Sequence, residues 1–268
     1  MKRPFQTMIK RAAQNLGPPL LTLFVVALLW QGAVVVLRLP SYVLPAPTEI
    51  LAVAVRSSAS LLRNLEVTAV EVLIAFCLSV IVGLGAGFAG ARSQLFRSTV
   101  YPLLVATQSF PKLAVAPLFT VWFGFGLEPK VAMAFLVAFF PIVLNTAVGL
   151  DSVEPSSRML ARSIGLRRTA TFLKIELPSA APSIFAGIKI ASTFAVIGAV
   201  VGEFVGAAAG LGHLTEEAGA GLKTPLLFAA LGVLTAMGLV AYGLVTLAER
   251  LLIPWHTGGV EAGTMWTA

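Results

Sequence analysis

Six separate stretches of this chain are apolar for close to twenty residues each, and that repetition constrains the fold more than any other feature. A bilayer core is crossed by a helix of roughly 20 apolar residues. The runs cover about residues 18–37, 65–89, 100–123, 131–150, 183–205 and 226–247. Between them the chain turns polar and proline-rich. With only 12% charged residues and a mean hydropathy of +0.91, the sequence cannot cover a water-facing surface. The expected class is an all-α polytopic membrane protein with six transmembrane helices. The first run follows Lys2, Arg3, Lys10 and Arg11 like a signal peptide, but its length and the lack of a small-residue cleavage site predict an uncleaved span.

The cations set an expected orientation. With the N-terminus inside, twelve Lys or Arg face the cytoplasm: those four, Arg92, Arg97, Arg158, Arg162, Arg167, Arg168, Lys174 and Arg250. Five face out: Arg38, Arg56, Arg63, Lys130 and Lys223. The bias predicts both termini in the cytoplasm. A net charge of +7 arranged between apolar runs suits an anionic membrane surface, not nucleic acid. Cys77 stands alone inside an apolar run, and His213 and His256 have no metal-binding spacing.

Breakers and polar groups inside the runs carry the next level of information. Residues 39–50 contain prolines that exclude continuous helix, with a short amphipathic helix expected up to Leu62. Pro111 and Pro117 are expected to bend the third span. Gly83, Gly85, Gly87 and Gly90 permit close backbone approach in the second. Gln108, Lys112, Asn145 and Glu203 are polar at membrane depth, where polar groups are costly. They are candidates for a translocation pathway, and interhelical hydrogen bonding is an equal alternative for each. Glu71 also lies inside an apolar run. Trp122 and Phe123 could stack on an aromatic ring or anchor a span at the interface. The Gly210-Leu211-Gly212 stretch is expected to form an outer turn.

One cytoplasmic stretch stands apart. Residues 162–178, RSIGLRRTATFLKIELP, hold four basic groups and one acid. The pattern predicts two short helical pieces hinged at Gly165, with Thr169 a candidate cap, and Pro178 ending one element or opening the next. A loop that only fixed topology would need charge but not this apolar patterning. The combination suits docking to a cytoplasmic partner.

The stretch resembles the cytoplasmic motif of ABC importer permeases: Glu-Ala-Ala, three residues, Gly, nine residues, Ile-x-Leu-Pro. Here the glycine is Gly165, the end is Ile175-Glu176-Leu177-Pro178, and Ala161 matches the second alanine. Met159 and Leu160 replace the motif's Glu and first Ala. Residues 44–50 (LPAPTEI), 109–126 (SFPKLAVAPLFTVWFGFG), 139–153 and 197–214 are similar to the nitrate, sulfonate and taurine permease group. Their wording is most similar to permeases of pyrimidine thiamine-precursor or riboflavin uptake. The resemblance covers about residues 18–255.

The resemblance implies a type I ABC importer permease in the inner membrane. It implies a second permease subunit, with a homodimer expected, two cytoplasmic ATPases and a periplasmic or lipid-anchored solute-binding protein. The chain has no Gly-rich phosphate loop, so ATP and magnesium are expected at the partner ATPase and no cofactor on this chain. The expected organisation is a cytoplasmic segment over 1–17, the six-span domain over 18–255 with a coupling region at about 154–178, and a cytoplasmic tail over 256–268. The coupling residues implied are Ala161, Arg162, Gly165, Arg167, Arg168, Phe172, Leu173, Ile175, Leu177 and Pro178. Arg162, Arg167 and Arg168 could pair with acids on the ATPase, with Phe172 and Leu173 packing behind. The expected cargo is a pyrimidine thiamine precursor, with nitrate, alkanesulfonate or taurine as the alternative. An ion-coupled carrier would favour internal repeats, and a membrane enzyme would favour clustered His, Asp and Glu. Neither pattern is evident. A non-transporting scaffold is the remaining rival.

Overall fold

The computed structural model of the protein describes residues 3–93, 98–99, 102, 106 and 111–256. Among these it is all helical: α1 (Arg3–Val36), α2 (Pro47–Arg56), α3 (Ser58–Arg92), α4 (Ala116–Phe123), α5 (Glu128–Asp151), α6 (Pro155–Ser163), α7 (Arg168–Thr171), α8 (Leu177–Phe204), α9 (Leu211–Ala220) and α10 (Thr224–Leu252). Four helical stretches are long and apolar enough to cross a membrane: Ser58–Arg92, Glu128–Asp151, Arg168–Phe204 and Thr224–Leu252. They coincide with the expected second, fourth, fifth and sixth spans. Shorter apolar helices, Leu21–Val36 and Lys112–Phe123, stand where the first and third were expected. Much of the third expected run lies outside the described residues.

The chain forms two compact units, residues 1–62 with 214–232, and residues 63–213 with 233–268. In the first, Pro47 opens α2 at a position whose N–H would be unpaired anyway. The Trp30 and Phe228 rings meet at 5.6 Å, and the Thr224 hydroxyl donates to the Tyr42 carbonyl at 2.8 Å. After α9 the backbone reverses at Leu222, which holds φ +52°, while Lys223 N–H reaches the Ala218 carbonyl at 2.8 Å. That is a glycine's conformation occupied by leucine.

The second unit is organised by α5 and α8, which pack antiparallel through glycine. A Cβ at Gly198 would stand 2.5 Å from the Ala134 Cα, and one at Gly202 would stand 2.8 Å from the Lys130 Cα. At Gly187 it would meet the Asn145 Cβ at 2.7 Å, and at Gly149 the Ser183 Cβ at 2.8 Å. The four pairs step by four, eleven and four residues along both helices in opposite directions. Eleven residues is three helical turns, so one face of each helix stays against the other over five turns. Without a hydrophobic drive between helices in lipid, such fit supplies the association.

The α3 helix runs parallel to α5 on another side, with Gly83 against Ile142 and Gly87 against Thr146. Its inward face, Thr68, Glu71, Ala75, Ser79, Gly83, Gly87 and Gly90, is small or polar and buried. Large apolar side chains such as Leu73, Leu78 and Ile81 point outward. A water-soluble helix has the reverse pattern. Gly85 has nothing within 4 Å of a Cβ, so of Gly83, Gly85 and Gly87 the first and third make the close contacts.

The fifth span starts earlier than its sequence predicts. Proline 182 was expected to precede it, with the span beginning at Ser183. The helix instead continues back to Arg168. Two devices absorb the prolines. A π-helical segment, Phe172–Glu176, precedes Pro178, and the wider turn relieves the proline ring against the preceding carbonyls. The Pro178 carbonyl, left unpaired because Pro182 has no N–H, accepts the Trp255 indole N–H at 3.4 Å.

Two outcomes are expected. Gly198→Leu forces a side chain into the Ala134 backbone and should lower the thermal midpoint in detergent, at a cost above ~2 kcal/mol, whereas Gly85→Leu should leave it nearly unchanged. Leu222→Gly should raise stability by about 1 kcal/mol by relieving the left-handed backbone, measured by the same melt.

Candidate functional site

The stretch expected to couple to a partner begins as a short helix that is tied back to the spans. Pro155 opens α6 behind Glu154. The helix ends where Gly165 takes φ +73°, with Gly165 N–H bonded to the Arg162 carbonyl at 3.0 Å and Leu166 N–H to the Ala161 carbonyl at 3.0 Å. This is a Schellman closure, and it needs a residue tolerant of positive φ. Ala161 is fully buried, which explains a small residue there. Nothing lies within 4 Å of a Cβ on Gly165, so its requirement is conformational, not steric.

Arg158 is the tie. Its Nε donates to Glu176 Oε1 at 3.0 Å and its Nη2 to the Leu150 carbonyl at 2.6 Å. One guanidinium thereby joins the C-terminus of α5, the helix α6 and the π-helical turn that leads into α8. A cation at a helix C-terminus also meets the negative end of the helix dipole. Sequence reading passed over this pair. The one acid in a basic stretch, Glu176, was the available signal.

The outward side of the same region is apolar and basic. Met159, Leu160 and Ile164 on or beside α6 are 66%, 63% and 67% exposed, and Leu173 is 60% exposed. Arg162, Arg167 and Arg168 are exposed around them. Phe172 does not join that face. Its ring packs edge-on against Phe88 with centroids 5.6 Å apart, and Arg92 stacks over it at 5.2 Å. The second helical piece begins at Arg168, with no side-chain cap from Thr169. Ile175, Leu177 and Pro178 are half-buried where the π turn meets α8.

The expected pathway residues have separate surroundings. Gln108 lies outside the described residues. Lys112 follows Pro111 in a 3-10 turn and sits over the Phe140 ring, 4.3 Å from its centroid, with no ion-pair partner among the described residues. Asn145 lies in the α5–α8 seam, its Nδ2 donating to the Pro141 carbonyl at 2.8 Å and its carbonyl accepting from the Ser183 hydroxyl at 2.9 Å. No hydrogen bond or ion pair joins Lys112, Asn145 and Glu203 to each other among the described residues.

Glu203 is fully buried and fully used. Oε1 accepts the Thr68 hydroxyl at 2.6 Å. Oε2 accepts the N–H groups of Gly212 and His213. Thr68 accepts Leu211 N–H at 2.8 Å, and Asn64 Oδ1 accepts Gly210 N–H at 2.8 Å. The glycine stretch expected as a turn is therefore the start of α9, whose unpaired N–H groups these side chains satisfy. Gly210 holds φ +126°, and a Cβ there would collide with the Glu203 carboxyl. Beside it, Lys130 pairs with buried Glu71 at 2.8 Å. Among the described residues no group of three or more His, Cys, Asp or Glu could hold a metal.

Glu203→Ala removes the acceptor of the Gly212 and His213 N–H groups and of the Thr68 hydroxyl and should destabilise the protein by about 3 kcal/mol. Glu203→Gln keeps one acceptor oxygen and should cost distinctly less. Thermal melts of the two purified variants measure the difference.

Residues 79–254 match the family model described as binding-protein-dependent transport system inner membrane component. The formylaminopyrimidine transport permease protein ThiX of Halalkalibacterium halodurans is 34% identical, over 92% of this chain and 99% of its own. The riboflavin transport system permease protein RibX of Chloroflexus aurantiacus is 36% identical, over 90% of each chain. The taurine transport system permease protein TauC of Escherichia coli is 30% identical over 74% of this chain and 72% of its own. A chain of the inward-facing MetNI methionine ABC transporter shares the fold, with a TM-score of 0.61 and 20% identity over 75% of this chain and 97% of that one. With this family match and relatives above 30% identity over most of their length, the chain belongs to the binding-protein-dependent transport system inner membrane components: it is a permease subunit of an ABC-type importer, a multi-pass membrane protein and not an enzyme.

Proposed function

We propose that this permease imports a small nitrogen heteroaromatic solute of the pyrimidine thiamine-precursor kind. It is driven by two separate ATPases that dock on α6 and α7 and is fed by an external solute-binding protein. The observation that carries the docking is the apolar knob of Met159, Leu160 and Ile164, exposed on a helix whose far side is pinned by Arg158. An exposed apolar patch rimmed by arginines fits a protein interface better than water. Met159 and Leu160, which depart from the family motif, extend that apolar face. The cargo rests on the two heterocycle-transport relatives that align over nine-tenths of the chain.

The reading has two permease copies facing each other, each with six spans over 18–255 and both termini in the cytoplasm. Segment 1–17 and tail 256–268 flank the spans on that side. ATP and magnesium act on the ATPases. Ala161 and Gly165 shape the knob. Arg162, Arg167 and Arg168 meet acids on the ATPase, and Leu173 extends the apolar contact. Phe172, Ile175, Leu177 and Pro178 transmit the motion into α8. Gln108, Lys112 and Asn145 are proposed along the pathway. Glu203 supports its outer end through the cap on α9.

A second reading, an anionic cargo such as taurine, an alkanesulfonate or nitrate, is favoured by one observation: the Lys112 ammonium has no carboxylate partner among the described residues. Uptake in proteoliposomes with the cognate binding protein separates the two. Transport of formylaminopyrimidine and not of taurine supports the first, and the reverse result sinks it. For the docking, Gly165→Val should abolish binding-protein-stimulated ATP hydrolysis while membrane insertion persists. Hydrolysis at the unaltered rate in that variant would refute it.

A further inference from the structure

A cavity of about 660 Å³ lies where α3, α5, α6 and α7 end together, and four arginines line it: Arg92, Arg158, Arg162 and Arg168. Two acids share the lining, Asp151 and Glu176. Glu176 is already spent on Arg158, and Asp151 has an interaction of its own. Arg158 is held by Glu176 and the Leu150 carbonyl, which leaves the remaining N–H groups of its five free for another acceptor. Arg92 stacks its guanidinium on Phe172, and among the described residues no ion pair is seen at it. Arg162 and Arg168 have no ion-pair partner among the described residues. Four guanidinium groups thus line one concavity beside two carboxylates, and an added anion there would lower their mutual repulsion. Planar forked donors of this kind match the oxygens of a phosphate group, as they do those of a carboxylate.

We propose that this cavity binds a phosphate-bearing anion. The surroundings favour an anionic phospholipid headgroup as its source. On α3, the positions Leu78, Ile81, Gly85, Ala89 and Arg92 recur every three or four residues and all are exposed. They form one outward stripe down the helix that ends on the arginine of the cavity. An acyl chain lying on that stripe would deliver its phosphate to Arg92. Basic pockets at the cytoplasmic ends of spans suit such headgroups. The placement on the cytoplasmic side rests on the orientation proposed above, but the chemistry of the cavity does not.

The test uses the purified 268-residue chain without ATPase, so that it stands apart from the docking reading. Its thermal midpoint is followed against short-chain phosphatidylglycerol, short-chain phosphatidylcholine and inorganic phosphate. Phosphatidylglycerol should raise the midpoint with saturation. In Arg162→Gln/Arg168→Gln the half-saturating concentration should rise about tenfold or more, while Arg56→Gln on α2 behaves as the parent. Protection by inorganic phosphate at comparable concentration would assign the site to a free anion. Protection by phosphatidylglycerol alone would assign it to lipid. Equal protection by phosphatidylcholine, no protection by either phosphate source, or an unchanged titration in the double variant would overturn the proposal. If the double variant does not fold, Arg162→Gln alone decides, since its side chain is exposed and leaves the Arg158 tie intact.

Discussion

Backbone-to-backbone contact between α5 and α8 is the constraint on which the rest of the second unit depends. Gly198 lets the Ala134 Cα approach to within what would be a side chain's place, and the same spacing recurs at 130 and 202, 145 and 187, and 149 and 183. Packing at that distance admits little sliding, because a shift of either helix brings a Cβ onto backbone. It also fixes what lies at each end of the seam. At one end Lys130 is pressed on Gly202 and reaches Glu71 on α3. At the other, Gly149 is pressed on Ser183, and the α5 carbonyl at Leu150 meets Arg158.

The two ends handle unpaired backbone in different ways. At the α9 end, a carboxylate, a hydroxyl and an amide side chain accept the N–H groups of residues 210–213. At the α6 end, arginine and tryptophan donate to carbonyls that a helix terminus or a proline left open. Buried polar atoms in an apolar bundle demand such partners. The π turn before Pro178 serves the same purpose while keeping α7 and α8 one continuous helical stretch. Through Arg158, α6 is bonded both to the end of α5 and to the π turn that leads into α8.

Much of this architecture was legible from the sequence, because apolar run length and proline position depend only on local chemistry. The four long spans overlap the predicted runs, the fifth with an earlier start, and the Gly165 break is where α6 closes. Legibility failed where tertiary partners decide. Prolines 178 and 182 read as a boundary, since nothing local reveals that a π turn and Trp255 would absorb them. Phe172 and Leu173 read alike, as packing together behind the arginines, yet Phe172 turns in to Phe88 and Arg92 while Leu173 stays exposed. Lys130 read as one outer charge among five, and its partner Glu71 lies fifty-nine residues away. Glu203 was recognisable as an acid at depth, but its three partners, the Thr68 hydroxyl and the N–H groups of Gly212 and His213, come from two other segments.

The central claim is mechanical: α6 moves as one body with α8. Cysteine replacement at Met159 on α6 and Ser179 on α8, with native Cys77 changed to serine, allows spin labels on two exposed positions. Pulsed electron resonance then gives their separation in the assembled transporter with and without ATP. The account predicts one narrow distance, unchanged between the two states. A distance that shifts or broadens on ATP binding while the Arg158–Glu176 pair is intact would contradict it.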